Sequence, residues 1–175
     1  FTMGDYEVVT QGIEITVVEE AAKDYIEITS EKELRAISGV ESDKPYKLTN
    51  NITITESGTV ITELLSTLDL NGFTIERNST NSADKFFINT IGSNGALMNG
   101  KINFFFGPTD STGHQGFIVN ETNGLVENME IDAQLNSYAD WNNLIALFGG
   151  TGTYKNMVVK VMNHTANANI FLQSF

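Results

Sequence analysis

The sequence predicts an all-β chain folded as a right-handed parallel β-helix, a single-stranded solenoid of about five coils with an N-terminal strand segment and a short capping helix. Two observations support this prediction: a repeat of 28 to 29 residues in the second half of the chain, and two short alternating apolar segments within each repeat. We divide the chain into an N-terminal strand and linker segment at 1–29, a capping helix and lead-in at 30–45, and the β-helix at 46–175, which we expect to be truncated at its C-terminal end.

The repeat is carried by turn glycines, asparagines and aliphatic residues that recur 29 and then 28 positions apart. These residues are Gly95, Gly124 and Gly152, then Asn99, Asn128 and Asn156, then Ile102, Ile131 and Val159. A coil cannot bury its apolar stripe alone, so like residues are expected to stack on like in successive coils. Asparagine suits the turn because it tolerates a left-handed backbone and can hydrogen-bond to stacked neighbours.

A second apolar series precedes the glycine turns and indicates the other strand of each coil. It predicts one column of Ile88, Phe117 and Ile145, and another of Thr90, Val119 and Leu147. The competing interpretation is an antiparallel sandwich in which the spacing is accidental. The lack of a two-residue hairpin signal between the strands argues against that alternative.

Two earlier segments carry a resemblance to a known family. Residues 46–54 (YKLTNNITI) are followed by residues 68–75 (LDLNGFTI). This succession resembles the opening coils of right-handed parallel β-helix proteins of the pectin-lyase-like superfamily, of the kind found in phage appendages and bacterial surface proteins. The resemblance covers about 130 residues and implies architecture alone, because that scaffold carries lyases, hydrolases, adhesins and viral fibres.

The N-terminal part predicts a strand and then a helix. Residues 12–18 alternate as a strand does, and they are either the last strand of an upstream domain or an arm that packs on the solenoid. Ser30 and Glu33 form a capping-box signal, and Gly39 is a candidate stop. The helix would bury Leu34, Ile37 and Val40 over the open end of the solenoid, while the charges at 19–20 and 31–33 are solvated.

Composition and charge exclude several functions. The formal net charge of −12 disfavours nucleic acid and anionic membranes as partners. No run of about 18 apolar residues predicts membrane insertion. Cysteine is absent from the sequence, which excludes disulfides and thiol chemistry, and no motif indicates a cofactor or a metal. Residues 167–175 read as a strand that starts a coil, so we expect further coils or another subunit at that end.

Three longer excursions, at 77–85, 106–115 and 133–143, occur at the same point of the repeat and should stack on one flank. Aromatic rings beside amides and carboxylates suit sugar rings. The candidate ligand-binding residues are Trp141, Tyr138, Asp140, His114, Asp110 and Arg77. The competing interpretation is that Tyr138 and Trp141 fold back over the coil as packing.

The phenylalanines at 104–106 are a separate feature. In a strand, Phe104 and Phe106 would share one face and Phe105 the other. One face can be core, and the remaining phenylalanine is then either exposed as a contact surface or buried under the following loop.

No catalytic residue is assigned. Asp110, Asp132 and Asp140 show no diagnostic pairing, and there is neither an acidic cluster beside an arginine nor a known catalytic motif. The sequence therefore predicts a non-catalytic β-helical surface or virion module, extracellular, that binds a glycan or a surface protein through its stacked loops. The alternatives are a polysaccharide lyase or hydrolase, or a scaffold domain of a larger secreted protease.

Overall fold

The computed structural model describes residues 24–79, 86–106, 115–135, 145–163 and 170–171 of the chain. The described part of the chain contains one helix, α1 (Glu31–Ala36). The strands before the middle of the chain are short, and several of the later ones are longer. The strands are β1 (Ile26–Ile28), β2 (Tyr46–Leu48), β3 (Ile52–Ile54), β4 (Ile61–Leu64), β5 (Thr67–Asp69), β6 (Thr74–Ser79), β7 (Ile88–Ile91), β8 (Ala96–Phe106), β9 (Gln115–Thr122), β10 (Leu125–Leu135), β11 (Ile145–Gly150), β12 (Thr153–Asn163) and β13 (Ile170–Phe171).

The strands form two sheets in which every described pairing is parallel. The eight-stranded sheet has the order β1-β2-β5-β8-β10-β12, with β6 between β3 and β8. The five-stranded sheet has the order β13-β11-β9-β7-β4. Inward side chains of both sheets contribute to a single buried apolar cluster. The core therefore depends on both sheets rather than on either one alone.

The predicted right-handed parallel β-helix of about five coils is wrong as a description of this fold. The strands form two flat parallel sheets and not the wall of one solenoid. A repeat specifies which strands are neighbours and in which register, but it does not specify how the strands of one repeat are shared between sheets. From β7 onward each repeat gives one strand to the smaller sheet and the next to the larger sheet.

The register predicted from the glycines, asparagines and aliphatic residues is confirmed in the larger sheet. Ile131 lies opposite Ile102 on one side and Val159 on the other. Ile75 continues the same column on β6, and Ile52 begins it on β3. Because side chains alternate between the two faces of a strand, this column places one aliphatic side chain from each strand toward the core.

The turn asparagines adopt the predicted left-handed conformation, with φ of 60° at Asn99, 55° at Asn128 and 50° at Asn156. Their side chains form a row of hydrogen bonds, which we call the asparagine ladder. Asn128 Nδ2 donates to Asn99 Oδ1 at 3.0 Å, and Asn156 Nδ2 donates to Asn128 Oδ1 at 2.9 Å. Asn99 Nδ2 donates in turn to a carboxylate oxygen of Asp69 at 3.1 Å. The ladder therefore links four strands of the larger sheet at the same bend.

The second predicted series is wrong in its register. Ile88 lies opposite Val119 and not Phe117, and Val119 lies opposite Phe148. The pairing of β9 with β11 also contains register shifts. The cause lies in the turns that join the two sheets: four residues separate β7 from β8, whereas two separate β9 from β10, so the distance from strand to turn glycine is not constant.

The turn glycines are required by close approach of neighbouring turns. A Cβ at Gly124 would overlap the backbone carbonyl oxygens of Gly92 and Gly95. The amide of Leu125 donates to Gly95 O at 3.1 Å, and the amide of Thr153 donates to Gly124 O at 2.8 Å. The backbones stack directly at this bend, and the space between them excludes a side chain.

The helix prediction is confirmed at the start of the helix and for two of the three apolar residues that were predicted to be buried. Ser30 Oγ accepts from the Glu33 amide at 3.3 Å, and the Glu33 carboxylate accepts from the Thr29 amide at 2.7 Å. Leu34 is fully buried and Ile37 is 4% exposed. Val40 is 43% exposed, so its predicted place on the buried face is wrong.

Glu31 is not the freely solvated charge that the sequence predicted. Its carboxylate accepts from the Thr55 amide at 2.8 Å and from Arg35 Nη2 at 2.8 Å. Burial alone would raise the pKa of Glu31, but the hydrogen bonds from Thr55, Arg35 and Glu56 outweigh it and lower that pKa below its ordinary value. The carboxylate thus ties α1 to the chain that follows β3.

The two chain ends are described only in part. The predicted strand at 12–18 lies outside the described residues, whereas β1 pairs with β2. Near the other end β13 pairs with β11, as expected of a segment that starts another strand. No helix in the described part of the chain has the length and apolar character that crossing a membrane requires.

Candidate functional site

Five of the six predicted ligand-binding residues lie outside the described part of the chain: Trp141, Tyr138, Asp140, His114 and Asp110. Their binding role therefore stays a prediction. The sixth, Arg77, belongs to β6 and is 4% exposed. It occupies the core-facing position between Ile54 and Phe104 in the register of the sheet.

The Arg77 guanidinium is engaged with backbone carbonyls. Its Nη2 donates to Gly58 O at 2.6 Å and to Glu56 O at 3.4 Å, and its Nη1 donates to Phe86 O at 3.2 Å. Arg35 reaches the same segment from α1 and donates to Glu56 O at 2.8 Å. The two arginines hold the connection between β3 and β4, which contains Gly58 with a φ of 89°.

The predicted excursions at 77–85 and 133–143 begin too early, because residues 77–79 belong to β6 and residues 133–135 belong to β10. The strands that precede the excursions end in register. Ser79 of β6 lies opposite Phe106 of β8, which lies opposite Leu135 of β10 and, through it, Asn163 of β12. Four consecutive strands of the larger sheet therefore end side by side. The chain segments that follow these four strands therefore begin at neighbouring points on one border of the sheet.

A groove of about 240 Å³ lies on the outer face of the larger sheet, next to that border. We call it the outer groove and define it by the outward-facing residues Glu76, Asn78, Asn103, Phe105, Asp132 and Gln134. Strand alternation produces it, because the intervening residues Arg77, Phe104 and Ala133 are buried on the other face.

The six residues form two rows across three strands. Asn103 lies opposite Glu76 on one side and Asp132 on the other. One step nearer the border, Phe105 lies between Asn78 and Gln134. The predicted alternation of the phenylalanines is confirmed for Phe104, which is 1% exposed, and for Phe105, which faces outward and is partly buried. The ring of Phe105 is thus flanked by amides and stands beside carboxylates.

Asn103 makes one contact across the groove and keeps one polar atom without a partner. Its Nδ2 lies 3.4 Å from Glu76 Oε1, a long contact. Its Oδ1 is buried and accepts no hydrogen bond from the described residues. Buried polar atoms without a partner are uncommon, and this one lies on the middle strand of the groove, between Glu76 and Asp132.

Charged groups border the groove on the side away from the strand ends. The Glu130 carboxylate contacts Lys160 Nζ at 2.8 Å and Lys101 Nζ at 3.3 Å. Hydrogen bonds from Lys160 and Lys101, and their positive charge, lower the pKa of Glu130. The hydrogen bond to Glu130 raises the pKa of Lys160, with a further contribution from the charge of Asp132. The row is a solvent-exposed network that leaves no free cation beside the groove among the residues it joins.

The arrangement has chemical limits and one catalytic possibility. Among the described residues no group of three or more acidic or histidine side chains is placed to hold a metal ion. Glu76 and Asp132 lie two strands apart, which is about 10 Å between their backbones. Carboxyl groups that act as an acid and base pair on a sugar are about 6.5–9.5 Å apart, a separation that side chains leaning toward each other can reach.

A larger groove of about 690 Å³ lies elsewhere, beside β5 and the lead-in to β2. Two of its polar groups are already used within the chain. Ser66 Oγ accepts from the Ser42 amide at 2.8 Å, and the Asp69 carboxylate accepts from the Asn71 amide at 2.8 Å and from Asn99. Its aliphatic lining is limited to Leu65, Pro45 and Met98. We therefore place the candidate site at the outer groove.

The outer groove was missed from the sequence, although Asp132 was considered as a possible carboxylate partner and one phenylalanine of 104–106 as a possible contact surface. The signal that could have found it is the alternation through β8, where buried Ile102 and Phe104 leave Asn103 and Phe105 facing outward. Reading the same alternation on β10 would have added Asp132 and Gln134. No protein-family model, curated protein or solved structure matches this chain. The pectin-lyase-like resemblance accordingly stays a prediction.

Proposed function

We propose that this chain is a non-catalytic binding module that holds a glycan in the outer groove, beside the border where the predicted excursions begin. The observation that carries the proposal is the placement of Phe105 between two amide side chains, one step from Asn103 and its two flanking carboxylates. Sugars present apolar C–H faces and polar hydroxyls at once, and this combination of groups complements both.

The groups of the groove divide the task. The exposed part of the Phe105 ring offers a face for the C–H surface of a sugar. Glu76, Asp132 and Gln134 supply acceptors and donors for the hydroxyls at the rim, and Asn103 lies between the two carboxylates. The carboxylates also disfavour strongly anionic saccharides, since the chain has a formal net charge of −12 and the neighbouring lysines are paired with Glu130. We therefore expect neutral or amino sugars to bind best.

The test is a glycan array followed by titration of the best ligand against the folded chain. We expect Phe105→Ala to weaken binding about 3- to 10-fold, as loss of one stacking contact does, and Phe105→Trp to retain it. Lys155→Ala, an exposed change on β12 away from the groove, is the matched control. Binding that is absent from the array, or that is unchanged in both Phe105→Ala and Asn103→Ala, would refute the groove as the site.

The predicted loop residues are tested in the same titration. Trp141→Ala should also weaken binding if the excursion after β10 covers the groove. A loss with Trp141→Ala but not with Phe105→Ala would place the glycan on the loops instead of on the sheet.

A second candidate function, hydrolysis of a polysaccharide, is favoured by Glu76 and Asp132 facing the same groove from strands two apart. Release of reducing ends from a polysaccharide panel, lost in Glu76→Gln and Asp132→Asn, would favour hydrolysis. Glycan binding without release of product would favour the binding module.

A further inference from the structure

On the outer side of β12, backbone groups and apolar side chains lack a neighbouring strand within the described part of the chain, whereas such a strand covers their counterparts elsewhere in the sheet. Among the described strands, β12 pairs with β10 only and ends the order of the larger sheet. Parallel strands expose alternating backbone donors and acceptors along an unpaired side, which can accept a further strand.

Core-facing side chains lose their cover at β12. Ile75, Ile102 and Ile131 are fully buried in the aliphatic column of the sheet, whereas Val159, the next member, is 37% exposed. Each of those three isoleucines has a paired strand on both sides, whereas Val159 has a described strand on one side only. Val159 therefore has an apolar surface shaped to receive one more aliphatic side chain.

The outer face of β12 is also more apolar than that of β10. Val158 is 55% exposed and Met162 is 52% exposed. Their register partners on β10 are Glu130 and Gln134, both polar. Apolar residues thus occupy two of the three outward positions that follow Asn156 on β12, with Lys160 between them, and this indicates a surface that is covered on binding.

The asparagine ladder specifies the register of such a strand. At every described step the incoming asparagine donates from Nδ2 to Oδ1 of the one before it. Asn156 Oδ1 accepts no hydrogen bond from the described residues. A strand that places an asparagine opposite Asn156 would extend the ladder by one identical bond.

Charge specifies the chemistry of the strand. The charged residues of β12 are Lys155 and Lys160, both basic, in a chain with a formal net charge of −12. Lysine on an edge strand opposes indiscriminate pairing, so it selects a partner that brings a carboxylate. Lys160 contacts Glu130 at 2.8 Å with a side chain that is 61% exposed, so its ammonium has further donors for a carboxylate on the next strand.

The opposite end of the fold does not supply this partner. There, α1 packs beside β3 with Leu34 fully buried, and Glu31 bonds to the Thr55 amide. The strand at the opposite end of the larger sheet is β1, which spans only Ile26–Ile28 and contains no asparagine that could extend the ladder from Asn156. Head-to-tail stacking of identical chains is therefore disfavoured.

We propose that β12 binds an extended segment of a partner polypeptide by parallel strand addition. The bound segment places an asparagine opposite Asn156, an aliphatic residue opposite Val159 and a carboxylate opposite Lys160. The inference is independent of the outer groove and of any glycan. Residues 125–135 of the chain itself carry this pattern, because Asn128, Ile131 and Asp132 are the counterparts of those three positions.

The probe is therefore a synthetic peptide with the sequence of residues 125–135, labelled with a fluorophore and titrated with the full chain. We expect saturable binding with a Kd below about 1 mM. Val159→Lys should weaken it at least about tenfold, because it inserts a charge into the apolar contact. Phe105→Ala, in the outer groove, is the control that should leave peptide binding unchanged, so failure of one proposal is distinguishable from failure of the other.

Charge exchange tests the register. A peptide with lysine in place of Asp132 should bind the natural chain weakly and recover affinity for the Lys160→Glu chain, which circular dichroism must first show to be folded. No saturable binding up to about 1 mM, or binding that ignores both Val159→Lys and the charge exchange, overturns the proposal. Self-association of the chain that Val159→Lys abolishes also overturns it, since the occupant would then be a second copy.

Discussion

Asn156 and Asn128 stand on neighbouring strands with their backbones in the same left-handed conformation, and the Nδ2 of Asn156 donates to the Oδ1 of Asn128 at 2.9 Å. The conformation and the hydrogen bond are separate contributions to stability. The first requires a residue that tolerates positive φ, and the second requires an amide.

Substitutions at Asn128 separate these two contributions. Asn128→Gly keeps the backbone and loses two amide hydrogen bonds, for which we expect about 1–2 kcal/mol of destabilisation. Asn128→Ala adds backbone strain of about 1–2 kcal/mol and should be the less stable variant. Urea denaturation of both variants measures the difference. Equal loss in the two would show that the left-handed backbone carries no strain for alanine.

Arg77 should be sensitive to loss of its charge-bearing group. Arg77→Met keeps much of the apolar stem but leaves the carbonyls of Gly58 and Phe86 without this donor. We expect about 2–4 kcal/mol of destabilisation, since hydrogen bonds from a charged donor contribute about 1.5–3 kcal/mol each and partial rehydration of the carbonyls offsets some of the loss. Lys101→Met, in an exposed ion pair, is the control and should change the unfolding free energy by less than about 1 kcal/mol.

Acid should weaken the attachment of α1 through Glu31. The pKa of Glu31 is lowered in the folded chain, so its stabilising contribution is fully present above the ordinary value of 4.5 and is lost as the pH falls through the lower folded value. Glu31→Gln should therefore be less stable than the natural chain near pH 7, by about 1–3 kcal/mol. The two should converge as the pH falls below about 4.

Urea denaturation at a series of pH values measures this convergence. Glu63→Gln, which removes an exposed carboxylate of β4, controls for the loss of one negative charge. A difference between Glu31→Gln and the natural chain that stays constant down to pH 2 would contradict the assigned role of the carboxylate.

Two valines on neighbouring strands measure the burial gradient toward β12. Val126 is fully buried on β10, and Val159 is 37% exposed on β12. Val126→Ala should cost about 2–3 kcal/mol, because it removes two buried methyl groups and leaves a cavity. Val159→Ala should cost less than about 1.5 kcal/mol. Comparable losses in thermal or urea unfolding would mean that Val159 is covered in solution.

The sequence was sufficient to predict the register of the larger sheet because its turns impose exact backbone contacts. Gly124 permits the stacking of one turn on the next, and Asn128 occupies a conformation that few residues tolerate. Such requirements leave the same residue type at the same position in every repeat. The capping box at Ser30 and Glu33 was predictable for a related reason, since its hydrogen bonds lie within four residues of sequence.

The division into two flat sheets was not predictable from the same pattern. Aliphatic alternation specifies which side chains face the core, but Val119 can face it opposite Phe148 as well as opposite Leu147 without a change in composition. The register of the smaller sheet depends on the turns that lead from it to the larger sheet, and these differ in length, with four residues between β7 and β8 and two between β9 and β10. The helix likewise buries Ile37 but not Val40, because the chain leaves the helical path between them.

The candidate site was difficult to predict because its residues are ordinary by type. Asn103 and Asp132 look like solvated positions of two strands, and only the parallel register brings them together with Glu76. The prediction for Arg77 was wrong for the opposite reason, because a residue predicted to bind a ligand at the surface is buried. A charged residue next to a polar segment indicates a surface, yet the carbonyls of the β3 to β4 connection provide it with a buried set of acceptors.

The asparagine ladder has an electrical direction as well as a mechanical one. Each side-chain amide points its N–H end back toward Asp69, whose carboxylate ends the row, and its oxygen away from it. Amide dipoles aligned in this way polarise one another, so the positive end of the row faces the carboxylate and the negative end is the oxygen of Asn156. The end of the ladder at Asp69 and the end at Asn156 are therefore not electrostatically equivalent. A donor arriving at Asn156 meets the summed field of three aligned amides, whereas an acceptor there is repelled.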